Sequence, residues 1–219
     1  MSARKSIAVI AMSVRRPRVG LHVATNVHAV VSKAAGDEFA VKLVDLAEFK
    51  LPVYDEELTP AMVTDPQAQY QYEHTRRWSA EIASHDAYVL VLPEYNYSIS
   101  GGAKNAIDYL YNEYAWMPSL SSMIWIGKPV AVVTYGIFGG QNVSAAAKQI
   151  LDGMKLRVAP TRPSLGFVGN ADGKDFMLAT QGQLGDETKN FILEGDGFKQ
   201  ITKSFDELKA LLATPVGAK

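Results

Sequence analysis

Leu92–Leu110, reading LPEYNYSISGGAKNAIDYL, is the stretch whose reading decides the fold. It begins at the end of the apolar run Asp86-Ala-Tyr-Val-Leu-Val-Leu92, which predicts a strand buried on both faces. It ends in a helical pattern that sets Ala103, Ile107, Leu110 and Tyr114 on one stripe. The intervening loop is built from Pro93, Tyr95, Asn96, Tyr97, Ser98, Ser100 and the pair Gly101–Gly102. The glycines let backbone approach a ligand, and the helix that follows offers unpaired N–H groups. In an open parallel sheet, ligands lie beyond the carboxyl ends of the strands. An aromatic, amide-bearing loop at that edge suits a flat ring with polar rims.

Working outward, Ser6–Met12 reads as a buried first strand, Phe39–Leu46 as a half-buried second and Pro129–Tyr135 as a fourth. A short fifth is expected at about Leu156–Thr161. Helices are predicted from Val19 to a stop at Gly36, over Asp65–Ser84, Ala103–Trp116 and Asn142–Gly153, and along the stripe Phe198, Ile201, Phe205, Leu208 and Leu212. Strands alternating with helices make an α/β, doubly wound parallel sheet with helices on both faces. The 219 residues fit one domain, with an insertion near 117–127 and a C-terminal arm near 163–195 that reads as an arm or hairpin. The insertion's apolar residues point to a lid or a subunit contact, of which we favour the contact.

Two further strand-end loops carry chemistry. Ser13-Val-Arg15-Arg16-Pro17-Arg18 precedes a helix N-terminus, where a hydroxyl, backbone N–H groups and forked guanidinium donors can wrap a phosphate. The opposing reading is a solvated basic turn. Tyr135-Gly136-Ile137-Phe138-Gly139-Gly140 can present successive N–H groups to a ligand edge. These loops follow the first, third and fourth strands, so their mouths converge on one crevice.

PEYN, followed after a short gap by G-x-KNAID, resembles the central motif of the NADPH-dependent FMN reductase family. The similarity runs from about Ser6 to about Gly166 and includes TYGxxGG. Ser13, Arg15 and Arg18 align with the family's phosphate loop, roughly GS-x-R-x-x-R, while Met12 stands where that pattern has glycine and Ser100 where it has proline. The resemblance implies a flavodoxin-like five-stranded sheet of order 2-1-3-4-5. It also implies FMN as cofactor, with NADPH or NADH as donor and a quinone, azo compound or free flavin as acceptor. Ser13, Arg15, Arg18 and Val19 would hold the phosphate; Pro93, Glu94, Tyr95, Asn96 and Tyr97 the ribityl chain and the N5 side of the ring. Tyr135, Gly136, Gly139 and Gly140 would face the pyrimidine edge. Hydride would pass through flavin N5 in a ping-pong cycle, with no catalytic side chain, and the protein would be a homodimer or dimer of dimers. The competing function is a flavodoxin-like electron carrier or regulatory module without nicotinamide turnover. A third possibility is a relative that has lost the cofactor, motivated by Met12 and Ser100.

Composition narrows the classes. A net charge of -1 gives no reason to expect binding to nucleic acid or anionic membranes. With no cysteine there is neither a disulfide framework nor thiol chemistry, and the four histidines form no H-x-x-x-H pair, so no metal site is expected. The N-terminal apolar run is too short for a signal core or a membrane span, which leads us to expect a cytoplasmic protein.

Overall fold

The computed structural model describes residues 4–110, 127–169 and 173–214. Its sheet is built on β1 (Ser6–Ala11), β2 (Ala40–Asp45), β3 (Ala87–Tyr95), β5 (Pro129–Gly136) and β6 (Arg157–Val158). They lie in the order β2-β1-β3-β5-β6, every neighbour parallel. This is the expected 2-1-3-4-5 path, renumbered because a short β4 (Ser98–Ile99) precedes β5. β4 pairs antiparallel with β3, and β7 (Ser164–Gly166) pairs parallel with β5, giving seven strands among the described residues rather than five.

The two-residue period of a strand divides the core into two layers. Ile7, Val9, Ala11, Val89, Val91, Ala131 and Val133 face one side. There they meet α1 (Gly20–Ala35), α7 (Asp186–Leu193) and α8 (Asp196–Ala213). Ala8, Ile10, Met12, Leu90, Leu92, Val130 and Val132 face the other. That layer packs on α3 (Glu73–Ala83), α4 (Gly101–Asp108) and α5 (Gln141–Gly153). Burying each of the valine, leucine, isoleucine and methionine side chains stabilises the fold by about 1.5–3 kcal/mol, which is why these runs dominate the topology.

Several local expectations change. The helix expected over 65–84 divides into α2 (Pro66–Gln69) and α3. Asp65 does cap it, accepting from the N–H groups of Gln67 and Ala68. Tyr70 then turns extended, and the buried Glu56 carboxylate takes the N–H groups of Gln71 and Tyr72 before α3 starts. The stripe is core as read: Tyr70, Trp78 and Ile82 are buried, while His74 pairs with Asp55 at 3.0 Å. Among its described residues the region 163–195 forms no hairpin but supplies β7, α6 (Lys174–Thr180) and α7. The helix placed over 103–116 is observed as α4, ending at Asp108; the insertion with Trp116, Met123 and Trp125 lies outside the described residues.

Met12 takes the glycine position without strain. It has no positive φ, its N–H donates to the Val91 carbonyl at 3.1 Å, and its side chain fills the core. Ser100, in place of proline, is the cap of α4 and accepts from the Ala103 N–H at 3.3 Å.

Candidate functional site

Loop one leaves β1 and enters α1 with Val19 at the N-cap, so no side chain caps the first turn. The N–H groups at the head of that helix are therefore available to an anion. Ser13 is 1% exposed and Tyr135 4% exposed, yet both line a cavity of about 140 Å³ at this spot. Gly20 makes their meeting possible. A Cβ there would lie 2.2 Å from the Tyr135 hydroxyl oxygen and 3.2 Å from Ser13 Oγ. Tyr95 adds a third hydroxyl, 3.3 Å from Ser13 Oγ, and the exposed Arg15 guanidinium lies 4.2 Å over the Tyr95 ring. Burial pushes the Tyr135 phenol well above its usual range, although the Ser13 hydrogen bond pulls the other way, so it stays a neutral donor.

Arg18 lines the same cavity but is engaged elsewhere. One guanidinium nitrogen donates to the Ser13 carbonyl at 2.9 Å, and another is ion-paired with Asp45. Its geometry is that of a strut under loop one, with Arg15 left as the cation nearer the opening.

Loop three is a hairpin that the sequence reading did not anticipate. Tyr95 pairs with Ser98 and Glu94 with Ile99, so Asn96 and Tyr97 form a two-residue turn. Their φ angles of 49° and 63° are the left-handed values that a type I′ turn requires. The signal was present in Asn96, but tyrosine in place of glycine at 97 hid it. The turn leaves Tyr97 80% exposed. Glu94 turns away from the crevice: its carboxylate accepts from the backbone N–H groups of Asn142 and Val143, at 2.9 and 3.0 Å, and holds the head of α5.

Loop four departs from the expectation in one respect. The Gly139 N–H donates to the Gly136 carbonyl at 3.2 Å, closing a turn, and so is not offered to a ligand. Gly139 and Gly140 are glycine for backbone reasons, with φ of 89° and 81°; a Cβ at Gly139 would lie 2.2 Å from Ser164 Oγ. Beside them Ile137 and Phe138 stand 40% and 83% exposed on the rim.

Of the residues singled out from sequence, Ser13, Arg15, Arg18, Val19, Tyr95, Tyr135 and Gly136 line one cavity. Pro93, Glu94, Asn96, Tyr97, Gly139 and Gly140 shape the loops around it without lining it. Sequence reasoning missed Phe167, Phe176, Ala179 and Thr180, which close the far wall. The last three belong to α6, whose seven residues were too few for a periodic signal. Gly182, just beyond α6, packs on loop one, where a Cβ would lie 2.9 Å from the Arg18 nitrogen. The donor set fits a phosphate monoester: buried hydroxyls, an uncapped helix head and a guanidinium. The exposed Tyr97, Ile137 and Phe138 suit an apolar ring at the rim.

Comparison with known proteins gives the same picture. The profile of the NADPH-dependent FMN reductase family matches residues 6–168. The chain is 43% identical over 210 residues to an NAD(P)H-dependent FMN reductase of Nectria sp., covering 95% of this chain and 98% of that one. It is 30% identical over 194 residues to a quinone reductase of Pseudomonas putida, covering 88% and 91%. Among solved structures, the flavoenzyme NAD(P)H:(acceptor) oxidoreductase FerB from Paracoccus denitrificans superposes with a TM-score of 0.59 at 24% identity, over 92% of this chain and 97% of that one, a likeness of fold. With motif, sheet order and loop convergence in agreement, the chain belongs to the NADPH-dependent FMN reductase family.

Proposed function

We propose that the protein is an FMN-dependent oxidoreductase that takes a hydride from NADPH or NADH and passes reducing equivalents to a quinone, an azo compound or free flavin. The observation that carries this is one sheet edge holding both a small hydroxyl-and-arginine cavity and an exposed apolar rim. A phosphate fits the first and a flat ring the second. When bound, FMN supplies the two-electron chemistry, and the chain binds, orients and shields it.

Each element then has a task. Ser13, the helix head at Val19 and Gly20, and Arg15 would hold the phosphate; the Arg18–Asp45 pair would keep loop one in shape. The hairpin at Pro93–Tyr97 would flank the ring, with Tyr97 at the open face that donor and acceptor occupy in turn. Glu94 would set the distance between loops three and four by anchoring α5. We read residues 1–219 as one FMN-binding domain whose arm near 163–195 walls the cavity, and the protein as a cytoplasmic homodimer or dimer of dimers. Supporting self-association is a groove between α4 and α5 that is open among the described residues, lined in part by Ile99, Ile107, Ile150 and Met154. Among the described residues, no helix is long and apolar enough to cross a membrane.

Stopped-flow mixing of the FMN-loaded protein with NADPH tests the reading. Rapid bleaching of the visible flavin band, followed by reoxidation with a quinone, is expected. Bleaching slower than any useful turnover would leave a flavin-binding module instead.

A further inference from the structure

We propose that the Tyr135 hydroxyl is a phosphate-reading donor at the closed end of the cavity, rather than a contact to the ring's pyrimidine edge. This rests on the FMN reading above and refines it.

Tyr135 is the penultimate residue of β5, the strand that feeds loop four, so its place in the chain suggests the ring edge. The side chain goes the other way. Its hydroxyl lies at the head of α1, so close to Gly20 that no Cβ fits there. That places three hydroxyls, of Ser13, Tyr95 and Tyr135, at a helix head that no side chain caps. The nearly buried Tyr135 phenol lines the cavity with Ser13 as its hydrogen-bond partner. A hydroxyl both donates and accepts, so it can accept from Ser13 while its own O–H donates to a second acceptor. A phosphate oxygen is such an acceptor.

Local charge points the same way. Arg18 is neutralised by Asp45, so the positive charge facing the cavity is less than three arginines in loop one suggest. A neutral O–H donor makes up part of that deficit without adding a buried cation. Gly20 and Tyr135 form one device: the missing Cβ opens the space that the hydroxyl fills.

The test compares FMN with riboflavin, which shares the ring and ribityl chain but lacks the phosphate. Dissociation constants for both, from quenching of flavin fluorescence, are measured on the wild type and on Tyr135→Phe. A charge-assisted hydrogen bond corresponds to about a ten- to hundredfold loss of FMN affinity. Riboflavin affinity should not change, and that constancy also shows that the variant is folded. A second variant, Gly20→Ala, should reproduce the FMN-selective loss by displacing the hydroxyl. Unchanged FMN affinity in Tyr135→Phe overturns the proposal. So does an equal loss for both flavins, which would return Tyr135 to the ring. A wild type that binds neither flavin overturns the underlying FMN reading, and one that binds both equally overturns the phosphate cradle alone.

Discussion

Arg18 and Asp45 form an ion pair between loop one and the end of β2, with side chains only 15% and 12% exposed. Removing one member of this largely buried pair leaves the other without its counter-ion, with only the Ser13 carbonyl for Arg18 or the Ala47 N–H for Asp45, at a cost of about 3 kcal/mol. Arg18→Ala and Asp45→Ala should each lose about that much stability in urea denaturation. The double variant should recover part of it, with a coupling of about 1–3 kcal/mol. Additive losses would mean that the two side chains act independently.

Glu94 makes a second connection of this kind, from β3 to the head of α5. It satisfies two N–H groups and places a negative charge at the positive end of the helix. Glu94→Ala should lower stability by about 1–2 kcal/mol, seen as a lower urea midpoint at unchanged slope. Because loop four leads into that helix, FMN binding should weaken along with it. A variant as stable as the wild type would remove Glu94 from its anchoring role.

Tyr97 sits at φ 63° in the turn between β3 and β4, where glycine is the favoured residue. Relief of that strain outweighs the entropy lost by adding a glycine, for a net gain of up to about 1 kcal/mol in Tyr97→Gly. The same change deletes an exposed ring from the rim, so kcat/KM for a quinone should fall while Tm rises. If kcat/KM holds, Tyr97 is not part of the acceptor face.

Glu81 lies at the other end of the sheet, between Lys42 and His85 at 2.5 and 3.0 Å. Burial pushes its carboxyl up, but the hydrogen bonds and charges of those two residues outweigh it and hold it below the usual range. A carboxylate lowered in the folded state contributes stability above its unfolded pKa, and that contribution is lost as pH falls through the folded value. The Tm advantage of wild type over Glu81→Gln should therefore be full at pH 7 and shrink below the ordinary carboxylate range, near pH 4.5. An advantage that does not vary with pH would place the effect in packing instead.

From sequence alone came the parallel strands, their order through the family motif, and the three loops that meet at one rim. Those features rest on local requirements: an apolar run is long enough for a strand or it is not, and a helix begins where its caps allow. At Gly139 and Gly140 the sequence marked a special turn, and in the structure both glycines take the positive φ that turn requires. Only the tertiary structure decided which charge meets which. Arg18 finds Asp45 across 27 residues and Glu94 finds Asn142 across 48, and no local pattern encodes such pairings. The same holds for α6 walling the cavity and for Tyr135 reaching the head of α1. Both depend on distances set when the two core layers pack, and those distances do not exist until the chain has folded.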